Sequence, residues 1–164
     1  MDERYGGAPT TEVRGGIAMP QLGFGTYNIP AYDTQRCVEQ ALEIGYRLVD
    51  TATAYGNEAG VGAALAATGM AGQVFVTTKL PNYLQGYDTA LSAFERSLEA
   101  LRLDVIDLYL IHWPCPAQDR YVETWRALRR LRDEGAVRAI GVSNFLPEHL
   151  ARLEDETGEL PALD

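Results

Sequence analysis

The sequence predicts an α/β fold built on a parallel sheet. Two observations carry this. Short strand-like runs rich in Val, Ile, Leu and Tyr alternate with helix-length amphipathic segments along most of the chain. Most of the helical segments are followed by a glycine, the residue that most readily adopts the left-handed conformation closing a helix. A third observation bounds the size. The chain has 164 residues, of which 46% are hydrophobic, enough to bury the core of one domain.

Residues 1–10 read as a loose N-terminal arm, and residues 11–164 as the folded domain. Thr11 to Met19 reads as a β-hairpin with Gly15 and Gly16 at its turn. A short strand is expected within 21–25. Asp33 is placed to cap a helix running to Ile44, with Val38, Ala41 and Leu42 on one face. YRLVD (46–50) is the next strand. Residues 57–68 are alanine-rich and helical, ending at Gly69. VFVTTK (74–79) is a strand, and Asp88 is placed to cap the helix carrying Leu91, Phe94, Leu98 and Leu101. VIDLYLI (105–111) is a strand, 121–134 a helix with Trp125, Leu128 and Leu131 inward, and VRAIGVS (137–143) a strand. Pro147 suits the first turn of a last helix. Pro161 to Asp164 reads as the start of one more strand. A (β/α)8 TIM barrel takes about 250 residues. The pattern therefore predicts a partial barrel of five βα units with an N-terminal hairpin. Its edge strands and inward-facing apolar residues are expected to lie unprotected, so that the chain is marginally stable or self-associates through the barrel edges.

Charge and composition narrow the function. Fourteen basic against 23 acidic residues give a net charge of −9, which argues against nucleic acid and anionic membranes as partners. No apolar run reaches the roughly 18–20 residues of a membrane span, and MDERYGGAPT has no signal-peptide pattern. Cys37 and Cys115 form no metal or redox spacing, so no metal is expected and a cytoplasmic location is the simplest. No Gly-x-Gly-x-x-Gly follows the first strand. Thirteen of the 14 basic residues are arginine, and Lys79 is the only lysine.

In parallel α/β folds, chemistry gathers at the C-terminal ends of the strands. Asp50, Tyr55, Lys79 and His112 all fall there. Each has a structural alternative. Asp50 caps a turn, Tyr55 packs on the rim, Lys79 is an exposed strand end, or His112 donates to a neighbouring carbonyl. Together they have a chemical logic. A phenol is a reluctant acid with a pKa near 10, an adjacent ammonium stabilises its phenolate, a carboxylate keeps that ammonium charged, and a neutral imidazole can donate to a substrate oxygen. Such a set can protonate a carbonyl oxygen while hydride reaches the carbon, and the hydride must come from a cofactor.

Five stretches carry a resemblance: LGFGTYNIP (22–30), GYRLVDTATAYGNE (45–58), VFVTTKL (74–80), LDVIDLYLIHWPCP (103–116) and GAVRAIGVSNF (135–145). In this order and spacing they resemble the N-terminal portion of the aldo-keto reductase family. TKLPNYLQGYD is similar to its prokaryotic branch acting on sugar-derived ketones such as diketogluconate. The resemblance implies a (β/α)8 barrel that reduces aldehydes, ketones or keto-sugars with NADPH, NADH being the alternative. It implies a tetrad of Tyr55 as proton donor, Lys79 lowering its pKa, Asp50 paired with Lys79, and His112 orienting the carbonyl. It further implies Ser143 and Asn144 at the nicotinamide carboxamide and Gly25 and Thr26 beside the nicotinamide ribose, with Tyr27 and Trp113 as substrate walls. The family's later pyrophosphate and 2′-phosphate contacts have no counterpart before Asp164. Activity of the 164-residue chain alone is therefore an open expectation. The alternatives are a non-catalytic cofactor-binding or regulatory module, an inactive fragment of a reductase, and an aldolase using Lys79 as Schiff-base nucleophile.

Overall fold

A computed structural model describes residues 3–164. An antiparallel hairpin, β1 (Thr10–Val13) and β2 (Ile17–Pro20), precedes a parallel sheet. That sheet has the order β3 (Phe24–Gly25), β4 (Leu48–Asp50), β5 (Phe75–Leu80), β6 (Ile106–Ile111) and β7 (Val137–Val142). Helices α1 (Ala31–Ile44), α2 (Glu58–Thr68), α3 (Tyr87–Leu101) and α4 (Tyr121–Asp133) connect successive strands, and α5 (Pro147–Thr157) follows β7. This is the expected partial barrel.

Side-chain parity separates two cores. Val49, Val76, Leu80, Tyr109, Ile111, Ile140 and Val142 pack against the helices. Leu48, Phe75, Leu108, Leu110 and Ala139 face the concave side. In-register pairing puts Gly25 beside Asp50, Asp50 beside Thr77, Lys79 beside Leu110, and Leu110 beside Gly141. Neighbours in a ladder share a face, and so do residues two apart. Lys79 therefore shares the concave face with Asp50.

The N-terminal segment departs from the expected loose arm. Residues 1–2 lie outside the described residues, but Glu3–Tyr5 forms a 3-10 turn and Tyr5 is fully buried among the concave residues. Arg4 donates to Asp107 Oδ1 at 2.7 Å, and Arg138 donates to the same oxygen at 2.9 Å. Buried Asp107 also accepts from the Val76 N–H through Oδ2 at 2.9 Å. The sequence conceals this because the carboxylate partner lies 103 residues away.

The same segment corrects a second expectation. The inward-facing apolar residues are covered, not exposed: Phe75 is 0% and Leu108 1% accessible. Tyr5, Ala8, Ile17, Met19, Ala162 and Leu163 pack on them. Residues 161–164 form no assigned strand, although Ala162 N–H bonds Ile140 O and Val142 N–H bonds Leu163 O, which lays them along β7. Gly141 permits that approach, since a Cβ there would lie 2.6 Å from Leu163 O.

Two expected caps also differ. Helix α1 begins at Ala31, so Asp33 sits in its first turn and makes a two-pronged pair with Arg36 instead. Helix α3 begins at Tyr87 after Gly86, whose N–H is taken by Thr124 Oγ1 at 2.8 Å, so Asp88 caps nothing.

Candidate active site

The strands deliver their side chains to one end of the concave face. Asp50 is the last residue of β4. Lys79 is the penultimate residue of β5, and its ladder partner Leu110 stands two before His112. The ladder continues past the assigned ends, with His112 N–H on Leu80 O at 3.2 Å and Ser143 N–H on Ile111 O at 2.8 Å. His112 and Ser143 are thus held in strand geometry. Tyr55 closes a short 3-10 turn over Thr53–Tyr55, ended by Gly56 in the left-handed region.

Lys79 Nζ is the centre of the site. It donates to Asp50 Oδ1 at 2.6 Å, to Thr51 O at 3.0 Å and to Tyr55 OH at 3.4 Å. An ammonium has three donors and these three acceptors use them. The Lys79 side chain is 8% accessible and that of Asp50 38%, so the carboxylate forms the wetter side of the pair. The Tyr55 ring lies edge-on to His112, with centroids 5.8 Å apart, and tilted against Tyr27 at 5.2 Å.

His112 is held below the ordinary imidazole range. Burial is the main cause, the Lys79 charge adds to it, and Asp50 opposes both. Its Nδ1 is buried without a protein partner. A cleft of about 340 Å³ opens between Tyr27, Ala54, Tyr55, His112, Trp113 and Asn144. Trp113 and Tyr27 are exposed at its mouth. Asn144 has φ 62° and donates from Nδ2 to His112 O at 2.8 Å and to Ser143 Oγ at 3.0 Å. These bonds leave the Ser143 hydroxyl proton and the Asn144 amide oxygen unspent, one donor beside one acceptor. Gly25 adds open space at the end of β3, where a Cβ would meet nothing within 4 Å.

The structure thus brings together Asp50, Tyr55, Lys79 and His112, sets Tyr27 and Trp113 beside them, and places Ser143 and Asn144 on the neighbouring strand end. Thr26 is different. Its side chain is fully buried and bonds Thr51 Oγ1 at 2.9 Å, so it serves the interior and not the cleft. Three further residues support the site without any motif to mark them. Thr51 supplies the carbonyl to Lys79, Asn57 bonds Thr26 and Thr51, and buried Gln85 donates to Trp113 O at 2.7 Å. Asn57 and Thr51 lie inside the stretch 45–58, but nothing in their spacing shows which backbone groups they meet.

Comparison with known proteins identifies the family. The model of the Aldo/keto reductase family matches residues 21–163. An aldo-keto reductase of Mycobacterium sp. strain JLS is 52% identical over 96% of this chain and 58% of its own length. Methylglyoxal reductase DkgA of Yersinia pestis is 48% identical over 95% of this chain and 56% of its own. The crystal structure of an aldo/keto reductase from Brucella melitensis superposes with a TM-score of 0.92 at 49% identity, covering 95% of this chain and 61% of that one. A Gox0644 mutant in complex with NADPH gives 0.89 at 49% identity, over 94% and 56%. The chain therefore spans somewhat more than half the length of these relatives. On its family model and the identity of its relatives, the chain belongs to the aldo/keto reductase family.

Proposed function

We propose that this chain carries the proton-transfer centre of a reductase that converts a small aldehyde, ketone or keto-sugar to its alcohol with NADPH. The observation that carries the reading is Lys79 Nζ bonded at once to Asp50, Thr51 O and Tyr55 OH. A reduced nicotinamide, when bound, would supply the hydride, which none of these side chains can. The carboxamide-matching pair Ser143–Asn144 and the open Gly25 position fit that group, and a relative's complex with NADPH supports the choice.

In this reading the substrate carbonyl enters between Tyr27, Trp113 and His112. His112, neutral and protonated at Nε2, donates to the carbonyl oxygen and orients it. As hydride adds to the carbon, the Tyr55 O–H bond breaks and its proton joins the oxygen, giving the alcohol. The Tyr55 oxygen is left negative beside the Lys79 ammonium, which stabilises it without moving. Solvent then returns the proton. Lys79 spends its three donors on Asp50, Thr51 O and Tyr55 OH, whereas an imine-forming amine must offer a free lone pair to the substrate.

The test is NADPH oxidation with a panel of aldehydes and keto-sugars that includes methylglyoxal. Tyr55→Phe is expected to lower kcat by about 10²–10⁴-fold, the usual span for loss of a general acid. A wild-type rate no greater than that of Tyr55→Phe would overturn the proposal. Nucleotide binding without turnover would favour the non-catalytic module.

A further inference from the structure

Asn57 precedes helix α2, where an asparagine ordinarily caps its own helix. Here it makes no such bond. Its side chain is buried and turned the other way. Nδ2 donates to Thr26 O at 2.9 Å and Ile29 O at 3.0 Å. Oδ1 accepts from Thr51 Oγ1 at 3.0 Å, with Thr26 Oγ1 a second donor within reach at 3.2 Å. Two carbonyls on one side and two hydroxyls on the other leave only one orientation for the amide.

These bonds tie the start of α2 to two segments that the β3–β4 ladder brings side by side, the loop after β3 and the end of β4. Each leads to the site. The carbonyl of Thr51 accepts from Lys79. The N–H of Thr26 donates to Asp50 O at 2.9 Å. Tyr27, next along the same loop, packs its ring on Tyr55. Asn57 itself does not line the cleft.

We infer that Asn57 is a positioning residue that acts through Thr51 and Thr26: it fixes the Thr51 carbonyl under the Lys79 ammonium and the Tyr27 loop against Tyr55. Its catalytic consequence rests on the reductase reading; its effect on Lys79 does not. A network in which each member has one arrangement transmits the loss of a single bond to its neighbours.

Lys79 makes the inference directly measurable. It is the only lysine, so protein labelled with heavy nitrogen at lysine Nζ gives one side-chain ammonium signal. In Asn57→Ala that signal is expected to move, and its protons to exchange with water about tenfold faster, as for the loss of one net hydrogen bond. Thr51→Val keeps the shape but removes the hydroxyl, and is expected to do the same. Thr51→Ser restores the hydroxyl and is expected to return the signal toward wild type. Gln35→Ala, on the exposed face of α1, is expected to leave it unchanged. An unaltered Lys79 signal in folded Asn57→Ala overturns the inference. Should that variant not fold, an unaltered signal in Thr51→Val overturns it equally.

A kinetic arm uses NADPH deuterated at the transferred hydrogen. Asn57→Ala is expected to lower kcat at nearly constant KM and to raise the isotope effect, which a mere loss of folded protein would not do. If wild-type protein shows no carbonyl-dependent oxidation of NADPH, the reductase reading fails while the ammonium signal still decides the role of Asn57.

Discussion

The Lys79 ammonium and the Asp50 carboxylate, 29 residues apart in the chain, meet at 2.6 Å, with Lys79 the more deeply buried partner. Lys79 would otherwise have only uncharged acceptors. Asp50→Asn is therefore expected to destabilise the fold by about 1–2 kcal/mol, less than for a fully buried pair because Asp50 is partly hydrated. For a chain of this size that lowers Tm by roughly 2–8 °C. Thermal unfolding of Asp50→Asn against wild type measures it, and an unchanged Tm would contradict the assignment.

His112 gives a pH dependence with a defined sign. Burial, with the Lys79 charge beside it, holds its native pKa below the ordinary imidazole range. Between the native and unfolded pKa values the unfolded chain binds more protons, so stability falls as pH drops below about 6.5. His112→Gln removes this contribution. Urea midpoints measured from neutral to mildly acidic pH should fall more steeply for wild type than for His112→Gln. Parallel profiles would refute the prediction.

Tyr5 tests the docking of the N-terminal segment. Its ring is fully buried, and its hydroxyl accepts from Arg4 at 3.0 Å and from Arg138 at 3.4 Å. Tyr5→Ala is expected to cost about 3–5 kcal/mol, as for other buried aromatic rings. Tyr5→Phe, which keeps the ring, should cost about 0.5–1.5 kcal/mol. Equal, negligible effects in chemical denaturation would mean that the segment is loose in solution.

The sheet order leaves β3 at one edge, with only Phe24 and Gly25 paired to β4. With the concave face covered, association through that edge is a narrower expectation than collapse of the whole sheet. The 164-residue polypeptide should show concentration-dependent self-association in sedimentation velocity. A single monomeric species at all concentrations would exclude it.

The linear pattern specified much of this. Hydrophobic period, with glycine after four of the five helices and Arg102 in the left-handed region after α3, defined five βα units, because burial period and helix termination are local properties. Strand ends located Asp50, Lys79 and His112, because parallel strands present their termini on one side. The short stretch 45–58 put Tyr55 in the adjoining loop. Capping was less legible: Asp33 and Asp88 have cap chemistry but sit inside their first turns, since the chain enters those helices at Pro30 and Gly86.

Three things were decided only by the tertiary structure. Arg4 and Tyr5 are docked because Asp107 and the concave apolar surface are assembled from distant strands. Thr26 is turned inward because Asn57 and Thr51 together provide its buried hydrogen-bonding site. The three acceptors of Lys79 come from one side chain on a strand, one backbone carbonyl and one loop phenol. Local period is enough to set which residue types stand at the strand ends. Which of their atoms meet depended on strand register and on buried polar groups finding partners, and both are long-range conditions.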